Sequence, residues 1–243
     1  MANSLKLPVG IENFEEIRKF GFYYMDKTKL IEQLVETGGK VTLFTRPRRF
    51  GKTLNMSMLE CFFSKKYANR ADLFEGLSIW QDETYRKLQG AYPVIFLSFA
   101  AVKAGNLEDA KTQIKQEIAR LYRGNRYLMR EDVFSENERE LYDGTIVNMD
   151  DVMAQDSLRN LSEWMERYYG KKVIILLDEY DTPMQEAYVQ GYWDEFTSFV
   201  RSLFNASFKT NPYLERAIMT GITRVSKESI FSDLNNLRVV TTT

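Results

Sequence analysis

Chemistry concentrates first in the loop Arg46-Pro-Arg-Arg-Phe-Gly-Lys-Thr53, where Gly51, Lys52 and Thr53 stand at the expected start of a helix. A bound phosphate needs backbone N–H donors at a helix N-terminus, a flexible cation for its outer oxygens and a hydroxyl that can reach magnesium. Glycine, lysine and threonine supply these in that order. The full phosphate-loop pattern places another glycine five residues before Gly51, and Arg46 stands there, followed by Pro47. The motif is therefore degenerate. A bare Gly-Lys-Ser/Thr tripeptide occurs by chance in on the order of one chain in ten of this length, so context has to carry the reading. The tripeptide follows a strand pattern, opens a helix pattern and is preceded by Arg46, Arg48 and Arg49, a concentration of cations that calls for an anionic partner. A solvated basic turn is the competing reading. The candidate nucleotide contacts are Arg46, Pro47, Arg48, Arg49, Phe50, Gly51, Lys52, Thr53 and Leu54. A loop this short points neighbouring side chains in different directions, so one or two arginines should meet the phosphates and at least one should pair with a carboxylate elsewhere.

A second concentration is Ile174-Ile-Leu-Leu-Asp178-Glu179, an unbroken apolar run ending in acids, with Asp181 close behind. At the carboxyl end of a buried parallel strand, a carboxylate faces the crevice in which open α/β sheets bind ligands. Asp178 can then reach hydrated magnesium together with Thr53, and Glu179 can orient and deprotonate an attacking water. The chain has no histidine, so a carboxylate is the natural base. If Asp178 merely capped the next helix, the three acids within four residues would have no purpose.

The elements that must position these groups read as alternating strands and helices. Asn13 with Glu16 starts a helix that Gly21 ends, and Asp26 opens a second, closed by Gly38-Gly39. The first strand is Lys40–Thr45, and the helix from about Lys52 through Phe63 places Leu54, Met58, Leu59 and Phe62 on one face. Pro93–Phe99 is a second strand. Lys172–Leu177 is a third, hydrophobic enough to belong at the centre of the sheet. Between them lie helical patterns at Leu107–Tyr122, at Ser135–Tyr142 with a Ser135/Glu138 capping box, and at Asp151–Tyr169 closed by Gly170, a long crossover or helical insertion. Thr182-Pro183 is an N-cap and first-turn pair for helices running to about Lys209; Glu215–Gly221 reads as a fourth strand and Leu237–Val240 as an edge strand. The fold class is α/β, one domain over residues 1–243.

Composition removes other classes. The 33 basic and 34 acidic residues nearly cancel, so no global field draws the chain to nucleic acid or an anionic membrane. The lone Cys61 excludes an intramolecular disulfide and a cysteine-built zinc site. The start lacks the apolar core of a signal peptide, and the longest aliphatic run is too short to span a bilayer, so the expectation is a cytoplasmic protein.

Thr45-Arg-Pro-Arg-Arg-Phe-Gly-Lys-Thr-Leu-Asn-Met-Ser-Met58, with Phe22-Tyr-Tyr-Met-Asp-Lys-Thr28 upstream and Leu177-Asp-Glu-Tyr-Asp181 downstream, resembles the AAA-ATPase-like family of bacterial proteins from about Pro8 to Asn236. The resemblance implies an additional-strand P-loop NTPase fold, a parallel central sheet flanked by helices, with ATP and Mg2+ as cofactors and the catalytic glutamate beside the Walker B aspartate. Arg46 in place of glycine belongs to that family's pattern. Family members usually continue into a C-terminal region resembling PD-(D/E)XK nucleases, which nothing here matches, so the chain is expected to be an N-terminal portion. By analogy with related ATPases, Thr223 or Arg224 at the end of the fourth strand senses the γ-phosphate. Tyr23, Tyr24, Asp26 and Lys27 could line the adenine end, although aromatics before a helix more often serve as core and staple; packing is also expected of the Gly191-Tyr-Trp193 turn. The expected catalytic groups are thus Glu179, Lys52 and Arg224. A slow Mg-dependent ATP hydrolase and an ATP-sensing switch with little turnover, acting on a C-terminal effector or a partner, both use this site.

Overall fold

The computed structural model describes residues 6–130, 134–222, 230, 231 and 234–241. In chain order the elements are α1 (Phe14–Lys19), α2 (Lys29–Glu36), β1 (Val41–Thr45), α3 (Lys52–Phe63), α4 (Glu83–Arg86), β2 (Val94–Ser98), α5 (Leu107–Gly124), α6 (Glu136–Val147), α7 (Asp151–Tyr169), β3 (Val173–Asp178), α8 (Thr182–Gln190), α9 (Trp193–Phe204), β4 (Leu214–Gly221) and β5 (Leu237–Thr241). The five strands form one parallel sheet in the order β2-β3-β4-β1-β5. The central strand is β4, not β3 as the hydrophobicity of β3 suggested. β3 is interior, paired on both sides, and that is all an unbroken apolar strand requires.

Strand alternation sends β3 residues to two different cores. Val173, Ile175 and Leu177 join Leu43, Leu97 and Met219 against α5, α7 and α9, whereas Ile174 and Leu176 join Phe44 and Ile218 against α1, α2 and α3. α6 packs outside α5 and α7 through Tyr142, whose ring meets those of Tyr122 and Trp164 at a tilt. Three helices, α5 to α7, thus lie between the second strand and the acid-ended third.

Local signals explain where the helices stop and start. Asn13 accepts from the Glu16 N–H, Ser135 and Glu138 form the reciprocal capping box, Asp150 caps α7, and Gly170 ends it in the left-handed conformation. Three boundaries differ from expectation, the simplest being that α6 runs on past Tyr142 to Val147. Thr182 is the first residue of α8, with Asp181 at the cap position. α2 begins at Lys29, because the Asp26 carboxylate is occupied elsewhere: Oδ1 accepts from the Thr28 N–H and hydroxyl, and Oδ2 from the Ser78 N–H and hydroxyl. Among the described residues, no helix is long and apolar enough to cross a membrane.

Candidate functional site

All five strands run the same way, so their carboxyl ends gather the loops after β1, β2, β3 and β4 along one edge. After β1 the chain leaves Thr45, forms the loop Arg46–Phe50 and enters α3 at Lys52 through Gly51, which sits at φ 71°. A side chain at Gly51 would meet nothing within 4 Å, so glycine is required there for its backbone conformation and not for space. Arg49 also occupies the left-handed region, at φ 68°, without glycine's freedom. The Lys52 ammonium turns back into this loop and donates to the carbonyls of Arg46 (3.0 Å) and Pro47 (3.1 Å). An ammonium has three donors, so one remains to face a ligand, and the degenerate Arg46-Pro47 start still provides the carbonyls that centre the lysine.

The β3 end is set by its neighbour. Because β4 lies between β1 and β3, Thr220 at its carboxyl end comes against Asp178: the Thr220 hydroxyl donates to the Asp178 carboxylate, and the Glu179 N–H lies 3.1 Å from Asp178 Oδ1 and 3.2 Å from Thr220 Oγ1. Asp178 is buried. Glu179 leaves the strand at φ 50°, a strained turn for a residue with a side chain, and its Oε2 accepts from the Thr182 hydroxyl at 3.2 Å. Asp181, fully buried, accepts the Ile222 N–H at 2.8 Å and the Gln185 amide at 3.1 Å through Oδ2, which ties the loop after β4 to the start of α8. A Cβ at Gly221 would stand 2.6 Å from the Tyr180 ring and 2.8 Å from Asp181 Oδ1, so only glycine permits this approach.

A cleft of about 720 Å³ opens between these parts. Arg48, Arg49, Gly51, Lys52, Thr53 and Leu54 line it from the β1 side, Glu179, Thr182, Gln185 and Glu186 from the β3 side, Lys103 from the loop after β2, and Val9 to Glu12 from the N-terminal segment. A smaller hollow of about 200 Å³ continues past Gly51, Leu54 and Asn55 to Pro8, Tyr23, Tyr24, Met25 and Lys27. Volumes of this size suit a nucleotide's phosphates and base.

The structure brings together most of the residues picked from sequence. Phe50 is 52% exposed at the rim and Pro47 contributes its carbonyl. Arg46 lines a small cavity with Phe44, Lys52, Met56 and Thr220, and not the cleft that Arg48 and Arg49 line. Among the described residues none of the three arginines forms an ion pair, so the expected carboxylate partner is not found. Thr223 and Arg224 lie outside the described residues. Asp26 is a structural tie: burial pushes its carboxyl up, but the hydrogen bonds from Ser78 and Thr28 prevail and hold it below the usual carboxylate range. Tyr24 lines the smaller hollow while packing edge-on against Phe14. Tyr192 and Trp193 pack, Tyr192 with its hydroxyl on the Ala104 carbonyl, as expected for that turn. Sequence reading did not find the contacts of Thr220, Asp181 and Thr182, nor that Lys103 lines the cleft.

The chain is 29% identical over 234 residues to a protein of Azotobacter chroococcum (mcd 1) described only as an uncharacterized protein in the vnfD 5′ region. That alignment covers 96% of this chain and about 40% of the relative's length. No solved structure matches the chain. The family model described as predicted AAA-ATPase matches residues 8–231, nearly the whole length, and with the phosphate loop, the acid pair and the interposed β4 in place the chain belongs to the AAA-ATPase-like family.

Proposed function

We propose that the chain binds ATP with magnesium in the 720 Å³ cleft and hydrolyses it slowly. The observation that supports this reading is that the β1 loop, the N-terminus of α3 and Glu179 at the end of β3 line one cleft, across a strand that sits between them, with Asp178 buried next to Glu179. In this reading the first N–H groups of α3 and the Lys52 ammonium hold the β- and γ-phosphates, and Arg48 and Arg49 meet their outer oxygens. The hollow past Leu54 receives the adenine, with Tyr23 and Tyr24 on its wall.

Thr53 and Asp178 are the residues that would hold magnesium. A hydroxyl and a carboxylate make an all-oxygen set, suited to a hard ion that keeps most of its water and shares the phosphates. Both donors to Asp178 fall on Oδ1, which fixes the carboxylate's orientation. When bound, the ion neutralises phosphate charge during transfer. Glu179 then takes the proton of the attacking water: the water oxygen bonds to the γ-phosphorus, the bond to the β–γ bridging oxygen breaks, and ADP leaves with that electron pair.

One observation favours the alternative, an ATP-sensing switch with little turnover. The Glu179 carboxylate accepts the Thr182 hydroxyl and so is engaged at the start of α8, and Asp181 links the same turn to the loop after β4. A nucleotide that drew Glu179 away would move α8 and signal to whatever docks there, including the nuclease-like C-terminal region expected from the family resemblance.

Calorimetric titration with magnesium and a non-hydrolysable ATP analogue tests the common core of both readings. Lys52→Ala is expected to weaken binding at least tenfold, about 1.4 kcal/mol or more. Unchanged affinity in a folded variant would overturn the site.

A further inference from the structure

Efficient phosphoryl transfer needs a cation where negative charge develops on the transferring group, beyond the loop lysine and the magnesium site. We infer that Lys103, in the loop after β2, is that cation in this chain; the inference rests on the nucleotide reading of the cleft.

Position is the first argument. β2 pairs with β3 so that Ser98 stands beside Asp178, and the Phe99 N–H donates to the Asp178 carbonyl at 3.0 Å, so the loop leaving β2 starts at the acid pair itself. Lys103 lines the same cleft as Lys52, Thr53 and Glu179, from the side facing the phosphate loop's own cations.

Anchoring is the second. Most exposed lysines ride on backbone free to move, but here the Gln113 side-chain amide clamps both polar groups of the Lys103 backbone: the Lys103 N–H donates to Gln113 Oε1 at 2.8 Å, and Gln113 Nε2 donates to the Lys103 carbonyl at 3.1 Å. On either side Val102 and Ala104 are buried, and the Ala104 carbonyl accepts the Tyr192 hydroxyl at 2.7 Å. The loop is therefore held at three successive residues, of which the exposed Lys103 is the one that lines the cleft. Among the described residues Lys103 forms no ion pair, so no carboxylate competes for its ammonium.

Lys103 transfers no proton in this role. It donates N–H bonds to the γ-phosphoryl oxygens while the attacking water bonds to phosphorus and loses its proton to Glu179, and ADP departs. A lysine ammonium is a hydrated point charge and not a bidentate fork, which fits a slow enzyme.

The test compares wild type with Lys103→Met and Lys103→Arg, using Lys52→Ala as a control on the parent reading. Two quantities are measured: single-turnover hydrolysis of magnesium–ATP at saturating protein, and the affinity for ADP with and without fluoroaluminate, which mimics the transferring phosphoryl group. Lys103→Met is expected to lower the hydrolysis rate at least tenfold and to lose most of the tightening by fluoroaluminate, with ADP affinity within about threefold of wild type and partial recovery in Lys103→Arg. Fluoroaluminate tightening and turnover equal to wild type in Lys103→Met overturn the assignment, as does an equal loss of ADP and fluoroaluminate-complex affinity, which would make Lys103 a uniform contact. Wild type that binds ADP no more tightly with fluoroaluminate overturns it too, whether or not turnover is detectable. Lys52→Ala that keeps full ATP affinity removes the nucleotide reading, and Lys103's role falls with it.

Discussion

The Thr220 hydroxyl and the Asp178 carboxylate are hydrogen-bonded across the β4–β3 seam, 42 residues apart in sequence, and both are almost wholly buried. The contact exists because β4 separates β1 from β3, placing the phosphate loop and the acids two strand spacings, roughly 10 Å, apart. That gap leaves room for a phosphate chain and its ion. The hydroxyl orients the buried acid at the end of β3. Thr220→Val keeps the shape and removes the hydroxyl, leaving a buried carboxylate with one donor fewer. The expected cost is about 1–3 kcal/mol in chemical denaturation, together with weaker magnesium-dependent nucleotide binding. A variant as stable as wild type would show that the contact does not orient Asp178.

Glu179 and Asp178 should separate cleanly under substitution. Asp178→Asn keeps an oxygen for Thr220 and the Glu179 N–H, so the fold should survive while the charge proposed for magnesium is lost, and magnesium-dependent affinity is expected to fall. Glu179→Gln retains nucleotide and lowers turnover on the order of a hundredfold, the usual size of a lost general base. Identical behaviour of the two variants in paired binding and single-turnover assays would overturn the division of roles.

The strained backbone at Glu179 makes an opposite forecast for stability. A left-handed residue with a side chain costs roughly 1–2 kcal/mol, and glycine's looser unfolded chain takes back about half of that gain. Glu179→Gly should therefore melt at or slightly above the wild-type temperature while hydrolysing ATP no faster than Glu179→Gln, the pattern of a site that holds strain for function. A clear drop in melting temperature would mean that the Thr182 contact, and not the turn, dominates there.

What could be read from sequence was local. The strand, loop and helix around Gly51 were legible because a left-handed glycine, a lysine and a helix start lie within three residues, and the capping box at Ser135 and Glu138 spans four. β3 was legible from its unbroken apolar run, yet that run cannot say which interior strand is central, since every strand paired on both sides looks alike. The groups missed act through distance in sequence: Thr220 reaches Asp178 across 42 residues, Asp181 reaches Ile222 across 41, and Tyr192 fastens the Lys103 loop at Ala104 across 88. Asp26 shows the same limit. Its position before a helix suggested a cap or a ligand contact, and only the approach of Ser78, 52 residues on, shows that it is a tie.

Asp26 also supplies a pH dependence. Its carboxyl lies below the ordinary carboxylate range in the folded chain because Ser78 and Thr28 donate to the charged form, outweighing the effect of burial. A depressed folded value means that the stabilisation is complete above the unfolded carboxylate range, near pH 4, and is lost as pH falls through the folded value. Since Asp26 is solvent-exposed, the loss on Asp26→Ala at neutral pH should be near the low end for charge-assisted bonds, about 1 kcal/mol, and should vanish in denaturation curves taken at strongly acid pH. A difference between wild type and Asp26→Ala that did not depend on pH would assign the effect to packing.

The three arginines of the phosphate loop should fail in three different ways. Arg46 is half-buried in the cavity beneath the loop, against Phe44 and Met56, and its carbonyl holds Lys52, so its side chain is packing as much as charge. Arg46→Ala is expected to lower the melting temperature and to weaken ATP binding only through the loosened loop. Arg48 is exposed on the cleft wall, and Arg48→Ala should reduce affinity for ATP more than for ADP or AMP, with stability unchanged, because a cation there meets the outer phosphates. Arg49 adds the backbone: at φ 68° an alanine inherits the strain and a glycine does not. Arg49→Gly and Arg49→Ala should therefore lose the same affinity but differ in stability by up to about 1 kcal/mol, glycine being the more stable. Calorimetry and melting curves on the four variants separate these cases. Small and equal losses of affinity with no change in stability would instead describe a basic turn in solvent, with no phosphate at its centre.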